Sequence, residues 1–278
     1  MKYPVELCPK AFTVHEWLTK ATKLNKHLVE SKHSDLALQF NYDTEALKNS
    51  VQEILQKYNP VGWQTKNKNV NFYKSLSLRS NPNHQDNIDE NVNSIGTPKN
   101  KTGEFFYAQT HNHEYVKDSY YDTFGFVKPT PCSIEGELGN LLEQIKPTIV
   151  RSRISTLVAK DFPDDPKVGW HRDESIFINL RLNIPLTTSE EFYFQMENKD
   201  PYNLKVGNLY TWDTNIAHKV FSTEKTNNTR THLVIGCSPW FDYDPIEKTW
   251  ATNKFFGVKH PFDMLLEGDI LPDHLITL

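Results

Sequence analysis

In the stretch Gly169-Trp170-His171-Arg172-Asp173 an imidazole and a carboxylate stand two residues apart. Along an extended strand, residues i and i+2 point to the same side, so His171 and Asp173 can face one ion. A second imidazole, His218, ends the segment Asp213-Thr214-Asn215-Ile216-Ala217-His218, 47 residues after His171. Two imidazoles and one carboxylate on one face of an octahedral ion leave three positions open. That is the facial triad that holds non-haem iron(II), and the open positions suit a bidentate keto acid and dioxygen. Catalytic zinc takes the same donors, but it usually works with a general base in a wet cleft, and the sequence offers neither. His-x-Asp alone recurs by chance, and as a surface turn plus a core histidine these residues would do nothing. Their weight comes from the residues around them.

Arg230 lies twelve residues after His218, at the head of Arg230-Thr231-His232-Leu233-Val234-Ile235-Gly236. Guanidinium stays charged and grips a carboxylate with two parallel hydrogen bonds. Strand alternation puts Arg230 on one face with His232 and Val234. An Arg entering a strand near a metal fits the far carboxylate of a dicarboxylate co-substrate; the plain alternative is an ion pair at the rim. Arg181 and Asn183 form a second polar pair in an otherwise apolar strand. Burying an Arg without an anion is costly, so a partner for Arg181 is expected. Arg153 poses the same question, whereas Arg151 is expected to be exposed. His111-Asn112-His113-Glu114 lies among turn-forming residues and reads as an exposed loop rather than a ligand set.

These residues need elements to position them. Residues 12 to 58 read as helical: Thr13 can cap the first helix with Glu16 as its capping-box partner, and Leu18, Ala21, Leu24 and Leu28 follow at helical spacing. A second helix fits Thr44 to Tyr58, stopped by Pro60. Residues 61 to 131 carry no single period; Phe72 to Leu78 alternates like a strand and Asn81 to Lys101 reads as a long loop. Ser133 can cap a helix running to Ile145 with Ile134, Leu138, Leu141, Leu142 and Ile145 buried. From Ile149 the period changes to two. Val150, Ile154 and Val158 oppose Arg151, Arg153 and Ser155, and Ile176 to Leu186 alternates throughout. Glu191 to Met196, Leu204 to Asp213, His218 to Ser222 and Arg230 to Cys237 continue a run of short strands, the mark of a sandwich or jelly roll. The tail from Trp240 offers a short helix around Phe262 to Glu267 and no chemistry.

The 278 residues carry a formal charge of -4, which argues against a nucleic-acid partner. Three scattered cysteines without a CxxC pair argue against a cysteine zinc site and fit a reducing compartment. The start has no continuous apolar core and no run is long enough to span a bilayer. The expectation is a cytoplasmic protein without a membrane partner.

The span from about Arg153 to Trp240, about a third of the chain, resembles the aspartyl/asparaginyl β-hydroxylase family of 2-oxoglutarate- and Fe(II)-dependent dioxygenases. The resemblance rests on an ordered set. It begins with Arg153-Ile154-Ser155-Thr156-Leu157, Gly169-Trp170-His171-Arg172-Asp173 and Leu180-Arg181-Leu182-Asn183-Ile184-Pro185-Leu186. It continues with Gly207-Asn208-Leu209-Tyr210-Thr211-Trp212-Asp213, His218-Lys219-Val220 and Arg230-Thr231-His232-Leu233-Val234. It implies a mainly β fold with flanking helices, a double-stranded β-helix (a cupin-like jelly-roll barrel) with iron at its mouth. On this reading one domain spans 1–278, with its barrel at about 149–240, a helical and loop extension at 1–148 as a buttress, and a further extension at 241–278. The resemblance implies His171, Asp173 and His218 as metal ligands and Arg230 as the anchor for 2-oxoglutarate. Arg181, Asn183 and Arg153 are further co-substrate candidates; the family often has His where Asn183 stands. Implied with them are Fe(II), 2-oxoglutarate and O2, and hydroxylation of an Asp- or Asn-like side chain, free or in a peptide, with release of succinate and CO2. Two alternatives are a dioxygenase acting on a nucleobase or other small molecule and a non-catalytic jelly-roll binding protein. The alkylated-base-repair enzymes carry a second Arg six residues after the first, and here that position is Gly236.

Overall fold

Leu180, Leu182, Ile184 and Leu186 alternate with Arg181 and Asn183, and the structure sends the two sets to opposite faces of one sheet. The computed structural model describes residues 28, 33–58, 60–64, 69–80, 123–162, 164 and 169–278. Its strands begin with β1 Asp35–Phe40, β2 Val61–Gln64, β3 Asn69–Ser77, β4 Arg79–Ser80 and β5 Lys128–Pro129. The barrel strands are β6 Ile149–Val158, β7 Leu180–Thr187, β8 Phe192–Met196, β9 Asn208–Trp212, β10 His218–Ser222 and β11 Thr229–Cys237. Then follow β12 Phe241–Asp244, β13 Thr249–Thr252 and β14 Ile276–Thr277. The helices are α1 Thr44–Lys57, α2 Gly136–Glu143 and α3 Pro261–Leu266.

The large sheet runs β14-β1-β9-β7-β11-β6-β3-β2, and β8 pairs with β10 in a separate small sheet. Single bridges extend the small sheet on both sides, His171 to His218 and Phe194 to Tyr202. Taking β6, the His171 bridge, β7, β8, the Tyr202 bridge, β9, β10 and β11 in chain order, the first pairs with the eighth, the eighth with the third and the third with the sixth. In the other sheet the second pairs with the seventh, the seventh with the fourth and the fourth with the fifth. A chain that winds between two facing antiparallel sheets in this order is a double-stranded β-helix, so the fold is mainly β with flanking helices, as the sequence predicts.

The outer face of the large sheet carries the main core. Leu180, Leu182, Ile184 and Leu186 of β7, Leu233 and Ile235 of β11 and Leu209 of β9 pack with Leu47, Val51 and Ile54 of α1 and Leu138, Leu141 and Leu142 of α2. Each such side chain taken fully from water contributes about 1.5–3 kcal/mol. The two helices are tied to each other through Lys57 Nζ and Tyr58 OH, which both donate to Glu135 Oε1 at 2.6 and 2.9 Å. The inner face looks across at the small sheet, where Phe194, Met196, Leu204, Tyr210 and Trp212 form a second cluster.

Several expectations change. Residues 35–40 are strand β1, not helix; Leu38 and Phe40 are buried while Ala37 and Gln39 are exposed, a period of two. The Thr44 helix stands, and Asp43 caps it by accepting from the amide of Ala46 at 2.9 Å. Ser133 caps nothing: it sits in a 3-10 turn over Pro131–Ile134, donating to Thr130 O and accepting from Arg79. The α-helix starts only at Gly136, and Ile134 is exposed. Ile176 to Ile178 form a turn, so β7 begins later than its alternation suggests. The Thr13 helix, the Asn81–Lys101 loop and His111 to Glu114 lie outside the described residues. Among the described residues no helix is long and apolar enough to cross a membrane.

Candidate metal centre

Backbone pairing brings the two histidines together. The amide of His171 donates to His218 O at 3.0 Å and that of His218 to His171 O at 2.9 Å, while the Asp173 amide donates to Thr214 O at 2.9 Å. Their rings stand 4.4 Å apart between centroids. Asp173 Oδ2 lies 3.7 Å from His171 Nε2 and 3.5 Å from His218 Nε2, and one ligand atom from each residue falls within 4.8 Å of the others. Neighbouring ligands at metal bonds of about 2.1 Å sit about 3 Å apart, so the trio needs only a small contraction to hold an ion.

The donor chemistry fits as well as the spacing. His171 Nδ1 lies 2.7 Å from Gly169 O, and His218 Nδ1 lies 2.9 Å from Ile216 O. A carbonyl can only accept, so each Nδ1 carries the proton and each Nε2 presents a lone pair to its neighbours. His218 is buried, whereas 42% of the His171 side chain meets solvent, so the centre opens on the His171 side. Burial alone would push the Asp173 carboxyl up, but the Arg181 guanidinium against its Oδ2 holds it well below the usual carboxylate range. Asp173 is therefore an anion ready to ligate.

The structure places the four sequence-predicted side chains around this centre differently. Arg181 is buried, with Nη1 on Asp173 Oδ2 and Nη2 on Glu174 Oε2 at 3.0 Å. The anion expected for it is thus supplied by the chain's own carboxylates. Arg230 is 2% exposed and bonds to His232, with its Nη1 buried and unpartnered among the described residues. Burial takes its pKa down to about 9, and burial together with this cation holds His232 well below the ordinary histidine range. Asn183 is buried and reaches Tyr210 O at 3.5 Å. Arg153 Nε donates to Tyr73 OH at 2.6 Å.

Arg151 overturns its expectation: it is 6% exposed and pairs with Glu174 at 3.3 Å. The parity that put it opposite Val150 was sound, but that face is the barrel interior and not solvent. Glu174 is the residue sequence reasoning missed. It takes hydrogen bonds from Arg151, Arg181, Asn179 Nδ2 at 3.0 Å and Thr123. Its one signal was adjacency to Asp173. Trp212 packs its ring 4.3 Å from that of Phe194, and its Nε1 is buried and unpartnered among the described residues.

No protein-family model and no curated protein matches the sequence. Among solved structures, the chain is similar in shape to an oxidoreductase of the 2OG-Fe(II) oxygenase family from Burkholderia pseudomallei, at 13% identity and TM-score 0.38 over 79% of this chain and 89% of that one. A prolyl hydroxylase from Trichoplax adhaerens, in complex with a hypoxia inducible factor oxygen degradation domain peptide fragment, is similar at 9% identity and TM-score 0.37, over 82% and 93% of the two chains. HygX from Streptomyces hygroscopicus, with nickel, 2-oxoglutarate and hygromycin B bound, is similar at 7% identity and TM-score 0.40, over 80% and 90%.

Proposed function

We propose that the chain is an Fe(II)- and 2-oxoglutarate-dependent dioxygenase that hydroxylates an amino-acid side chain of the Asp or Asn type, free or in a peptide. The observation that carries the reading is the meeting of His171, Asp173 and His218 with one ligand atom of each turned to the others, together with a buried Arg230 whose Nη1 has no partner among the described residues. Bound iron(II) supplies dioxygen activation coupled to decarboxylation of 2-oxoglutarate to succinate and CO2.

The chain's own residues bind and orient. His171 and His218 offer Nε2 and Asp173 offers Oδ2, and the Nδ1 contacts lock both rings against rotation. Arg230 takes the far carboxylate of 2-oxoglutarate. A buried guanidinium without a counter-ion is destabilising, and a dicarboxylate removes that cost. Charge supports the same reading: Arg230 Nη1 is buried without a partner among the described residues, and an anion suits it. Trp212 Nε1 is a further donor inside, and the buried cluster of Phe194, Met196 and Trp212 makes the interior beside it apolar. The Asp- or Asn-like substrate is supported by the ordered sequence resemblance over Arg153 to Trp240.

The test is anaerobic titration of Fe(II) and 2-oxoglutarate into the apoprotein, then oxygen with a panel of free amino acids, peptides and nucleotides. A weak visible charge-transfer band, succinate release and a substrate gaining one oxygen atom are expected. No band and no succinate would instead make the chain a non-catalytic binding barrel.

A further inference from the structure

Trp212 ends β9 with an indole N–H that the fold leaves without an acceptor. The residue is 7% exposed, and its Nε1 is buried and unpartnered among the described residues. Its ring lies 4.3 Å from that of Phe194 and 5.6 Å from that of His218, which it meets edge to face. Trp212 therefore stands at the metal end of the sheet. Register puts Arg230 at the other end. Val234 of β11 lies opposite Asn183 of β7, and Asn183 lies opposite Tyr210 of β9. Both pairings are antiparallel, so β9 and β11 run the same way. Arg230 comes four residues before Val234 in this row, and Trp212 two residues after Tyr210.

A buried N–H without an acceptor is costly, and a ligand that brings one removes the cost. A 2-keto acid chelates a cation through its keto oxygen and one carboxylate oxygen. Its second carboxylate oxygen then needs a donor from the protein, since a buried anion is stable only when hydrogen-bonded. Arg181 is not available for this: its Nη1 is on Asp173 and its Nη2 on Glu174. We propose that Trp212 Nε1 donates to that second oxygen and so selects a chelating acid at the centre; this rests on the metal-site reading above. The far carboxylate of the acid is left to Arg230. An indole suits the place because it donates without charge, and so adds no repulsion toward the cation beside it.

Deleting an unpartnered donor leaves the empty fold no weaker, whereas deleting a structural one destabilises it, and this separates the two roles. The variant is the whole chain carrying, in place of Trp212, the benzothienyl analogue of tryptophan, in which sulfur replaces the N–H at nearly the same shape. Calorimetry reads Mn(II) binding first, then oxalate binding to the Mn(II) form; oxalate chelates but has no distant carboxylate for Arg230. The variant is expected to bind Mn(II) within threefold of wild type and to unfold at a urea midpoint no lower than wild type. Oxalate is expected to bind at least about tenfold more weakly, the scale of a hydrogen bond to a charged group, and 2-oxoglutarate to lose a similar factor. Oxalate bound within threefold of wild type overturns the proposal. So does a tenfold loss of Mn(II) or a lower urea midpoint, either of which makes the indole N–H a support of the fold. If the analogue does not fold, Trp212→Phe decides by its oxalate affinity relative to its Mn(II) affinity. Wild-type protein that binds Mn(II) but not oxalate overturns this proposal alone; wild-type protein that binds neither Mn(II) nor Fe(II) overturns the metal-site reading and this proposal with it.

Discussion

Truncating His218 to alanine removes one imidazole donor but spares the backbone pairing that joins it to His171. His218→Ala is expected to abolish iron-dependent succinate formation while the far-UV circular dichroism stays that of wild type; undiminished succinate would refute its role as a ligand. Arg230→Ala is expected to weaken 2-oxoglutarate by about 1.5–3 kcal/mol, the scale of a hydrogen bond to a charged group. Calorimetry checks it, and an unchanged affinity would move the anchor to another interior cation. His232 gives a pH prediction. Burial first, and the neighbouring Arg230 second, depress its folded pKa well below 6.5. Below that pH the unfolded chain takes up a proton that the folded chain refuses, so stability falls as pH falls, by up to about 1.4 kcal/mol per pH unit from this one group. His232→Gln, whose amide oxygen still accepts from Arg230, is expected to flatten the urea stability profile between pH 6.5 and 5.5. At this scale the sequence was most legible where chemistry imposes spacing. His171 and Asp173 meet because two residues is a strand repeat, and the charge of a buried Arg181 demanded a partner. Which partner it took was not legible, because Glu174 lies in an irregular segment where no period predicts a direction.

Strands β7 and β11 were readable because each buries a run of apolar residues on one face, outward to α1 and α2. Strand β1 was not. It is six residues long, and reading residues 12 to 58 as one helical window hid its alternation of Leu38 and Phe40 with Ala37 and Gln39. Its pairing with β9, from Asp35 opposite Trp212 to Gln39 opposite Asn208, is a tertiary fact that no local pattern carries. The mistaken Ser133 cap has a similar cause: a serine followed by an apolar period suits a 3-10 turn as well as a helix start, and the buried Arg79 claimed its hydroxyl. Gly236 supplies the prediction for elements. It lies where the register of β11 shifts against β6, and a Cβ there would press on Arg151 O at 2.7 Å and on the Asn179 side chain. Neither neighbour is a free-ending side chain on the surface, so the strand must move. Gly236→Ala is expected to destabilise the fold by about 1–3 kcal/mol, the usual cost of overpacking, measured as a lower urea midpoint with an unchanged m-value. A variant as stable as wild type would mean that the β6–β11 seam is looser than its register implies.

The large sheet has two unlike faces. One is an apolar core under helices, which needs no ligand. The other holds the buried Arg230, whose Nη1 has no partner among the described residues and whose desolvation is unfavourable until an anion arrives. The interior is therefore poised to gain stability from its ligands, and the gain is a property of the complete barrel because Arg230 on β11, Trp212 on β9 and His218 on β10 belong to both sheets. A ligand that binds only the folded state at a hundred times its dissociation constant stabilises by about 2.7 kcal/mol. For a chain somewhat longer than 150–250 residues, 1 kcal/mol moves the midpoint by about 2–4 °C at most. Saturating 2-oxoglutarate with Mn(II) is thus expected to raise the thermal midpoint by about 5–10 °C. The pattern across variants is the sharper measurement. Arg230→Ala removes the costly cation along with the anchor, so the variant without ligand is expected to melt close to wild type yet to lose the shift from 2-oxoglutarate while keeping that from Mn(II). His218→Ala is expected to lose the metal shift. A ligand-free Arg230→Ala protein that melts far below wild type would show Arg230 to be a structural strut rather than a cation awaiting its anion.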